Sequence, residues 1–316
     1  MRESEVISTF LRYLKRQGDL PLGDDAGAIK LRDRWLVATN DMLVGKTDVP
    51  GIMTPRQVGF KAVTMNLSDV AAMGARPIGF LFSLGITSDL DSDYIEGIAK
   101  GIGEALDFYK VPVLSADTNE ADDLVIDGMA IGTTKRLLPR SGAKPGDLVC
   151  VTGDLGRALA GYLVWRDDLE VGGRVKDALY ERFLEPKARV EEGVVLSAVA
   201  SSAIDVSDGL AKELNILSER SGVKICVDAW KLPVREEVIR VSEILGLDVH
   251  KLALASGEEF EILFTLPEDL LEGLTFDCTV IGRVFEGNGV YLMDRGRAEK
   301  LPPLGWEHMV PRGSWY

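Results

Sequence analysis

Histidine is nearly missing from this chain of 316 residues: His250 and His308 are the two that occur. Neither stands near a Ser or Cys signature of a nucleophilic triad, so chemistry that leans on a His base is disfavoured. Cysteine is scarce as well. Cys150, Cys226 and Cys278 lie far apart with no C-x-x-C pair, which argues against a zinc site or a disulfide framework and fits a reducing cytosol. No apolar run approaches the ~20 residues that span a bilayer. The opening MRESEVISTF carries both charge signs and does not read as a signal peptide, so the expected location is cytoplasmic, with no membrane partner. Glutamine occurs only as Gln17 and Gln57, a scarcity associated with thermal robustness. Positive charge is in deficit, 36 Lys and Arg against 50 Asp and Glu, for a formal net charge of −14. Such a surface repels nucleic acid and anionic lipid. It does not exclude a small anionic ligand, because bound Mg²⁺ reverses the sign of a local site.

Familiar nucleotide motifs are absent too. No G-x-x-x-x-G-K-S/T occurs, nor the protein-kinase set. Gly101-Ile102-Gly103 falls inside an expected helix and lacks the third glycine of a dinucleotide fingerprint. The segment Val310–Ser314 reads VPRGS, like a residual tag, and is left out of the functional argument.

What is present is an alternation of strand-like and helix-like segments, which predicts an α/β or α+β architecture. Trp35 to Ala38 reads as a strand closing on Thr39-Asn40-Asp41. Thr54-Pro55-Arg56-Gln57 combines an N-cap, a Pro at the first helical position and a capping-box Gln. The helix it starts should pass Asn66 and Asp69 and stop at Gly74. Ser92 to Tyr109 reads as a helix, Val111 to Ala116 as a buried strand ending in Asp117, and Leu124 to Thr133 as a further strand. Arg136 to Asp147, rich in Pro, Gly and Ser, reads as the connection between two domains, 1–137 and 138–316. Beyond it come strands at 148–152, 203–206 and 223–227 and helices at 156–165 and 209–221. Asn288-Gly289 signals a hairpin turn before the strand Val290 to Met293.

The informative feature is where the aspartates sit. Asp24 and Asp25 form GDDA, Asp41 and Asp117 stand at expected strand ends, Asp69 lies within an apolar helix, and Asp205 and Asp208 belong to IDVSDGL. Any one of them is an ordinary turn or cap residue. Asp69 resists that explanation, since its neighbours Leu67 and Val70-Ala71-Ala72 offer no solvated face. Carboxylates among apolar residues are costly to bury unpaired, and Mg²⁺ bridging several of them to phosphates accounts for the group at once. Phosphoryl transfer to a phosphate acceptor fits the shortage of His, because an acceptor with a second pKa of ~6 is already largely anionic. Such transfer needs positioning and charge neutralisation instead.

At these same residues the chain resembles the thiamine-monophosphate kinase family, within the aminoimidazole ribonucleotide synthetase superfamily. The segments are GDDAGAI (23–29), ATNDML (38–43), KAVTMNLSDVAAMGARP (61–77), ADTN (116–119), PRSGAKPGD (139–147), AIDVSDGL (203–210), SGEEFEILF (256–264) and GWEH (305–308). The resemblance implies a two-domain fold whose N-terminal domain pairs with its twin through a shared barrel-like sheet, hence a homodimer, with a C-terminal α/β domain closing over the site. It implies transfer of the γ-phosphoryl group of Mg-ATP to thiamine monophosphate without a covalent enzyme intermediate. By position, Asp25, Thr39, Asn40, Asp41, Asp69, Asp117 and Asp205 would bind Mg²⁺, with Asp208 a further candidate. Ala116, Arg140 and Ser207 would contact ATP. Glu258 or Glu259, with Trp306, would contact the thiamine moiety, a ring face attracting a thiazolium cation by roughly 0.5–2 kcal/mol.

The chain departs from the pattern at the substrate end. Many members carry a His where Lys46-Thr47-Asp48 stand, so that contact either is lost or passes to Asp48. The common S-T-D reads Thr39-Asn40-Asp41, and G-E-D-Y-E reads Gly257-Glu258-Glu259-Phe260-Glu261. Rival readings within the superfamily are weaker. An aminoimidazole ribonucleotide synthetase does not call for SGEEFE and GWEH, a selenophosphate synthetase needs an N-terminal Cys or selenocysteine, and a carbamoyl dehydratase needs a C-terminal Cys. A silent nucleotide-binding module would be marked by lost aspartates, and they are present.

Overall fold

The computed structural model describes residues 3–14, 17–20 and 22–307; His308 and the VPRGS segment lie outside them. The first half runs α1 (Glu3–Leu11), β1 (Gly27–Leu31), β2 (Arg34–Val44), the single turn α2 (Gly45–Asp48), α3 (Pro55–Ala72), β3 (Arg76–Ile86), α4 (Ser92–Tyr109), β4 (Val113–Glu120) and β5 (Val125–Thr134). Its strands form one sheet in the order β1-β2-β5-β3-β4, antiparallel except for the β3–β4 pair. The second half runs β6 (Leu148–Thr152), α5 (Arg157–Arg166), α6 (Gly173–Leu184), α7 (Val190–Val199), β7 (Ser202–Asp205), α8 (Leu210–Ser221), β8 (Lys224–Asp228), α9 (Glu236–Leu245), α10 (Val249–Ala255), β9 (Ile262–Leu266), β10 (Cys278–Phe285), β11 (Gly289–Asp294) and β12 (Arg297–Lys300). Its sheet has the order β12-β11-β8-β10-β6-β9-β7. Among the described residues no helix is long and apolar enough to cross a membrane.

Helix α3 begins where its sequence says it should. The Thr54 side chain accepts from the Gln57 amide while the Gln57 side chain accepts from the Thr54 amide, with Pro55 at the first turn. From there almost every position is buried, because α3 lies between the sheet, α4 and the second half of the chain. Two glycines permit the α3–α4 approach. A Cβ at Gly59 would meet the Ile98 carbonyl, and one at Gly101 would meet the Arg56 carbonyl and the Phe60 amide. Gly101 and Gly103 both lie inside a helix, as expected, but only Gly101 serves the packing, since a Cβ at Gly103 would meet nothing within 4 Å.

Three expectations are corrected. Strand β2 extends to Val44, so Thr39-Asn40-Asp41 sit in mid-strand rather than at its end. Strand β4 begins at Val113 and is exposed along its whole length, not buried, with Asp117 in its middle. It is the edge strand, and among the described residues no helix packs on the sheet face opposite α3. Third, Asn288-Gly289 makes no hairpin. The chain passes over β8 there, and β11 pairs in parallel with β8 rather than with β10. The hairpin lies one strand later, between β11 and β12, where Arg295 and Gly296 take φ of 47° and 81°.

The capping box makes a stability prediction. Thr54→Ala is expected to cost about 1 kcal/mol of unfolding free energy. Denaturant titration checks it, and Gln57→Ala in the Thr54→Ala background should add little, because each residue's role requires the other.

Candidate active site

Three carboxylates from distant parts of the chain converge. Asp25 comes from the bend before β1, Asp69 from the last turns of α3 and Asp205 from the end of β7, and one oxygen of each lies within 4.8 Å of the others. Thr39 Oγ1, from β2, donates to Asp69 Oδ2 at 2.7 Å. Ser68 Oγ donates to Asp205 Oδ2 at 2.6 Å and Ser207 Oγ to Asp205 Oδ1 at 3.3 Å. Arg140 approaches from the other side: its guanidinium donates to Asp25 Oδ1 at 2.7 Å and to the Gly23 carbonyl at 3.2 Å, and its amide donates to Asp24 Oδ1. The second oxygen of Asp25 is buried with no hydrogen-bond partner. A buried acceptor in that state calls for a ligand.

The electrostatics follow from crowding. Burial, then the charges of Asp205, Asp41 and Asp25, hold the Asp69 carboxyl well above the usual range, against the hydrogen bond from Thr39. Burial and the charge of Asp25 push Asp205 up to about 8, although Ser68 and Arg140 act the other way. Burial disfavours the Arg140 cation, yet the charge and hydrogen bond of Asp25, with the charges of Asp205 and Asp69, together outweigh it and raise that group. Every donor facing the cluster centre is a carboxylate or hydroxyl oxygen, the set that suits a hard cation such as Mg²⁺ rather than a softer metal.

A second group lies along α3. Lys61, buried, pairs with Glu258 at 2.5 Å and donates to the Asp48 carbonyl at 3.1 Å. The Asp48 carboxylate itself caps its own turn by accepting from the Val44 amide at 2.7 Å. Glu258 and Phe260 take φ of 57° and 47°, and the Glu258 and Phe260 amides donate to the Ser207 and Val206 carbonyls at 2.7 and 2.9 Å. This left-handed turn points the two neighbouring glutamates apart. Glu258 is partly exposed. Glu259 is buried and accepts from the Gly156 and Ala158 amides, Ser256 Oγ and Arg182 Nε, at the start of α5. Trp306 donates its amide to the Asp208 carbonyl at 2.8 Å, and Lys212 joins the Asp208 carboxylate at 2.5 Å to the Trp306 carbonyl at 3.0 Å.

The site therefore gathers Asp25, Thr39, Asp69, Asp205, Arg140 and Ser207, with Asp41 near enough to be felt by both Asp69 and Asp205. Asn40, Ala116 and Asp117 stand elsewhere. Register places Asp41 in one cross-strand row with Gly128, Phe82 and Ala116, and Asp117 in the next row with Met42, Asp127 and Ser83. Neighbouring rows face opposite sides of a sheet, so Asp117, like Asn40, belongs to the uncovered face and Asp41 to the α3 face. Sequence reasoning passed over Lys61, Ser68 and the buried Arg182. Lys61 carried the same signal as Asp69, a charged residue set between Phe60 and Ala62-Val63.

Comparison with known proteins gives the chain's relatives. The AIR synthase related protein N-terminal domain matches residues 23–134 and the corresponding C-terminal domain matches 144–295. The thiamine-monophosphate kinase of Pyrococcus abyssi is 52% identical over 310 residues, covering 98% of this chain and 96% of that protein. That of Pyrococcus horikoshii is 50% identical with the same coverage. A solved structure described as AaThiL complexed with AMPPCP and TMP superposes with a TM-score of 0.89 at 34% identity, covering 97% of each chain.

The raised carboxyls make stability depend on pH in a defined direction. Asp205 has a folded pKa of about 8, against about 4 for an unfolded aspartate. Between those values the folded state binds more protons than the unfolded chain, so stability falls as pH rises through that window. The cation-free protein is expected to melt lower at pH 8 than at pH 5, and added Mg²⁺ to raise Tm more at pH 8. Differential scanning calorimetry checks both, and Asp205→Asn should flatten the slope.

Proposed function

The chain belongs to the AIR synthase related protein family, and we propose that it transfers the γ-phosphoryl group of ATP to thiamine monophosphate, giving thiamine diphosphate and ADP. Its class is that of the thiamine-phosphate kinases, on full-length identity to them of up to 52% and on the likeness to a complex holding the ATP analogue AMPPCP together with TMP. The observation that carries the reading is the convergence of Asp25, Asp69 and Asp205, from both halves of the chain, around a buried oxygen with no partner.

Asp25, Asp69 and Asp205, with Thr39 and Asp41, would hold Mg²⁺, and Asp208 is a further candidate ligand. Magnesium bound there would neutralise charge on the transferring phosphoryl group. The protein's own part is positioning. Thr39 and Ser68 fix the carboxylates of Asp69 and Asp205, and Arg140 holds Asp25 while lying where it can meet a nucleotide phosphate; Ser207 is a further proposed ATP contact, and Ala116 is one proposed from the edge strand β4, away from this group. No general base is needed, since the acceptor phosphate is largely anionic at neutral pH. His250 fits that absence: its ring packs edge-on against the surface Trp230, with centroids 5.0 Å apart. Direct in-line transfer without a covalent intermediate follows.

At the acceptor end we assign Asp48, Glu258 and Trp306. Glu258 takes precedence over Glu259, whose oxygens are engaged inside the C-terminal half. The division into domains at 137/138 and a cytoplasmic location belong to the same reading, the latter supported by three free thiols. So does a homodimer. Met42, Ile78, Val113, Leu114 and Met129 are exposed large apolar residues of this sheet, a patch of the kind that marks a protein partner. Asn40 and Asp117 stand three strands apart, roughly 14 Å along the sheet, so they share an ion only if a second chain brings its own β4 across.

The direct test is incubation with Mg-ATP and thiamine monophosphate, with thiamine diphosphate and ADP as the expected products; unphosphorylated thiamine should be a poor substrate, because its hydroxyl needs a base. Asp69→Asn should abolish kcat almost entirely while His250→Ala keeps most of it. A folded His250→Ala protein with kcat down a thousandfold, on the order of a lost general base, sinks base-free transfer.

Trp306 makes a separable prediction. If its ring stacks on the thiazolium, Trp306→Ala raises KM for thiamine monophosphate, leaves KM for ATP nearly unchanged, and Trp306→Phe recovers much of the loss. A packing role would instead lower Tm, with a truncation cost of about 3–5 kcal/mol, and move both constants together.

A further inference from the structure

Lys61 is among the largest fully buried side chains of the molecule, and the metal cluster does not use it. A buried ammonium needs compensation, and it finds it in two segments at once: the Glu258 carboxylate at 2.5 Å and the Asp48 carbonyl at 3.1 Å. One of these belongs to the turn that follows β2, the other to the left-handed turn before β9. Helix α3, which carries Lys61, is thereby tied to both. Seven residues along the same helix, two turns and roughly 10 Å away, Ser68 makes the other such tie, to Asp205. Residues seven apart share a helix face, so α3 presents one stripe with a metal-end contact at Ser68 and a second contact at Lys61. The two contacts are themselves joined in the second half of the chain, because the Glu258 amide donates to the carbonyl of Ser207, two residues beyond Asp205.

We propose that Lys61 is a positioning residue of the acceptor site, its ammonium clamping Glu258 and the 45–48 turn so that the groups facing the acceptor stay in register with Asp69 and Asp205. The inference rests on the kinase reading above. Lys61 is too deeply buried to touch the acceptor, so its effect passes through Glu258 and Asp48. It also sets the charge the acceptor meets, since it compensates one oxygen of a Glu258 that is otherwise 39% exposed.

The test is steady-state kinetics with each substrate varied, alongside Tm, for wild type, Lys61→Met, Glu258→Gln and the double variant. Lys61→Met is expected to raise KM for thiamine monophosphate about tenfold, hold KM for ATP within about twofold, and shift Tm little. In the Glu258→Gln background the same change should add almost nothing, since the clamp is already open. Lys61→Gln, which keeps a donor for the Asp48 carbonyl without the charge, should fall between wild type and Met. It carries the test alone if Lys61→Met does not fold. An unchanged acceptor KM, a rise in both KM values in step with lost Tm, or full additivity with Glu258→Gln overturns the inference. A wild-type protein that makes no ADP from thiamine monophosphate overturns the kinase reading itself, a distinguishable result.

Discussion

Three carboxylates held within 4.8 Å of one another repel, and the rest of the structure is arranged around that repulsion. At an effective dielectric near 20, two unit charges about 4 Å apart interact by about 4 kcal/mol. The protein supplies one countercharge, Arg140, and hydroxyls from Thr39, Ser68 and Ser207. That is not enough to ionise all three groups, which is why Asp69 and Asp205 hold their protons so strongly. A cluster that cannot discharge itself favours a cation as firmly as any preformed cage. Folding thus builds a deficit of positive charge at one point, which a bound cation would relieve.

Keeping such a cluster together requires stiff supports on every side. Helix α3 is stiff because Gly59 and Gly101 let α4 close against it and because its capping box fixes its start. The 256–261 turn is stiff for a different reason. Arg182 lies between Glu259 and Glu261, Arg189 also pairs with Glu261 at 2.6 Å, and Thr152 donates to Glu261 at 2.6 Å. A buried charge network of this kind contributes little net stability, but breaking it by removing one partner typically costs about 3–5 kcal/mol. Its use here is geometric. It pins Phe260 and Glu261 beside Val206, which places Asp205 opposite Ser68 and leaves Glu258 alone to face Lys61.

Much of this was legible from residue order. Thr54 to Gln57 announced α3, and Asp69 announced the carboxylate cluster by standing between Leu67 and Val70-Ala71-Ala72 with no solvated face. The segment rich in Pro and Gly lies between β5 of one sheet and β6 of the other. Other features were hidden for physical reasons. Period-2 patterning tells which residues of β4 share a face but not whether anything covers it, so an apolar strand at the sheet edge reads as buried from sequence alone. An Asn-Gly pair encodes a local turn and carries no information about which strand lies alongside. β8 fills the position next to β10, and the chain had to cross it. Glu258 and Glu259 are equivalent as letters; a positive φ at Glu258 makes one a partner of Lys61 and the other the cap of α5.

The two ends of the site differ in legibility because they differ in how their charges are satisfied. At the metal end the carboxylates have too few partners within the chain, so each is anomalous in its local sequence and the anomaly is readable. At the proposed acceptor end the charges have partners: Lys61 neutralises Glu258, and the Asp48 carboxylate caps its own turn. Taken singly, each of these residues has an ordinary structural explanation, and only their joint placement across both halves of the chain singles them out. Substrate selection built from self-compensated pairs also costs little to alter, since exchanging both partners leaves no buried charge exposed. The carboxylates of Asp25, Asp69 and Asp205 have no such freedom, because the surrounding residues supply too little positive charge to offset all three. Divergence within a fold of this kind is therefore expected to accumulate around Asp48, Glu258 and the tail at Trp306, while Asp25, Asp69 and Asp205 stay fixed by electrostatics.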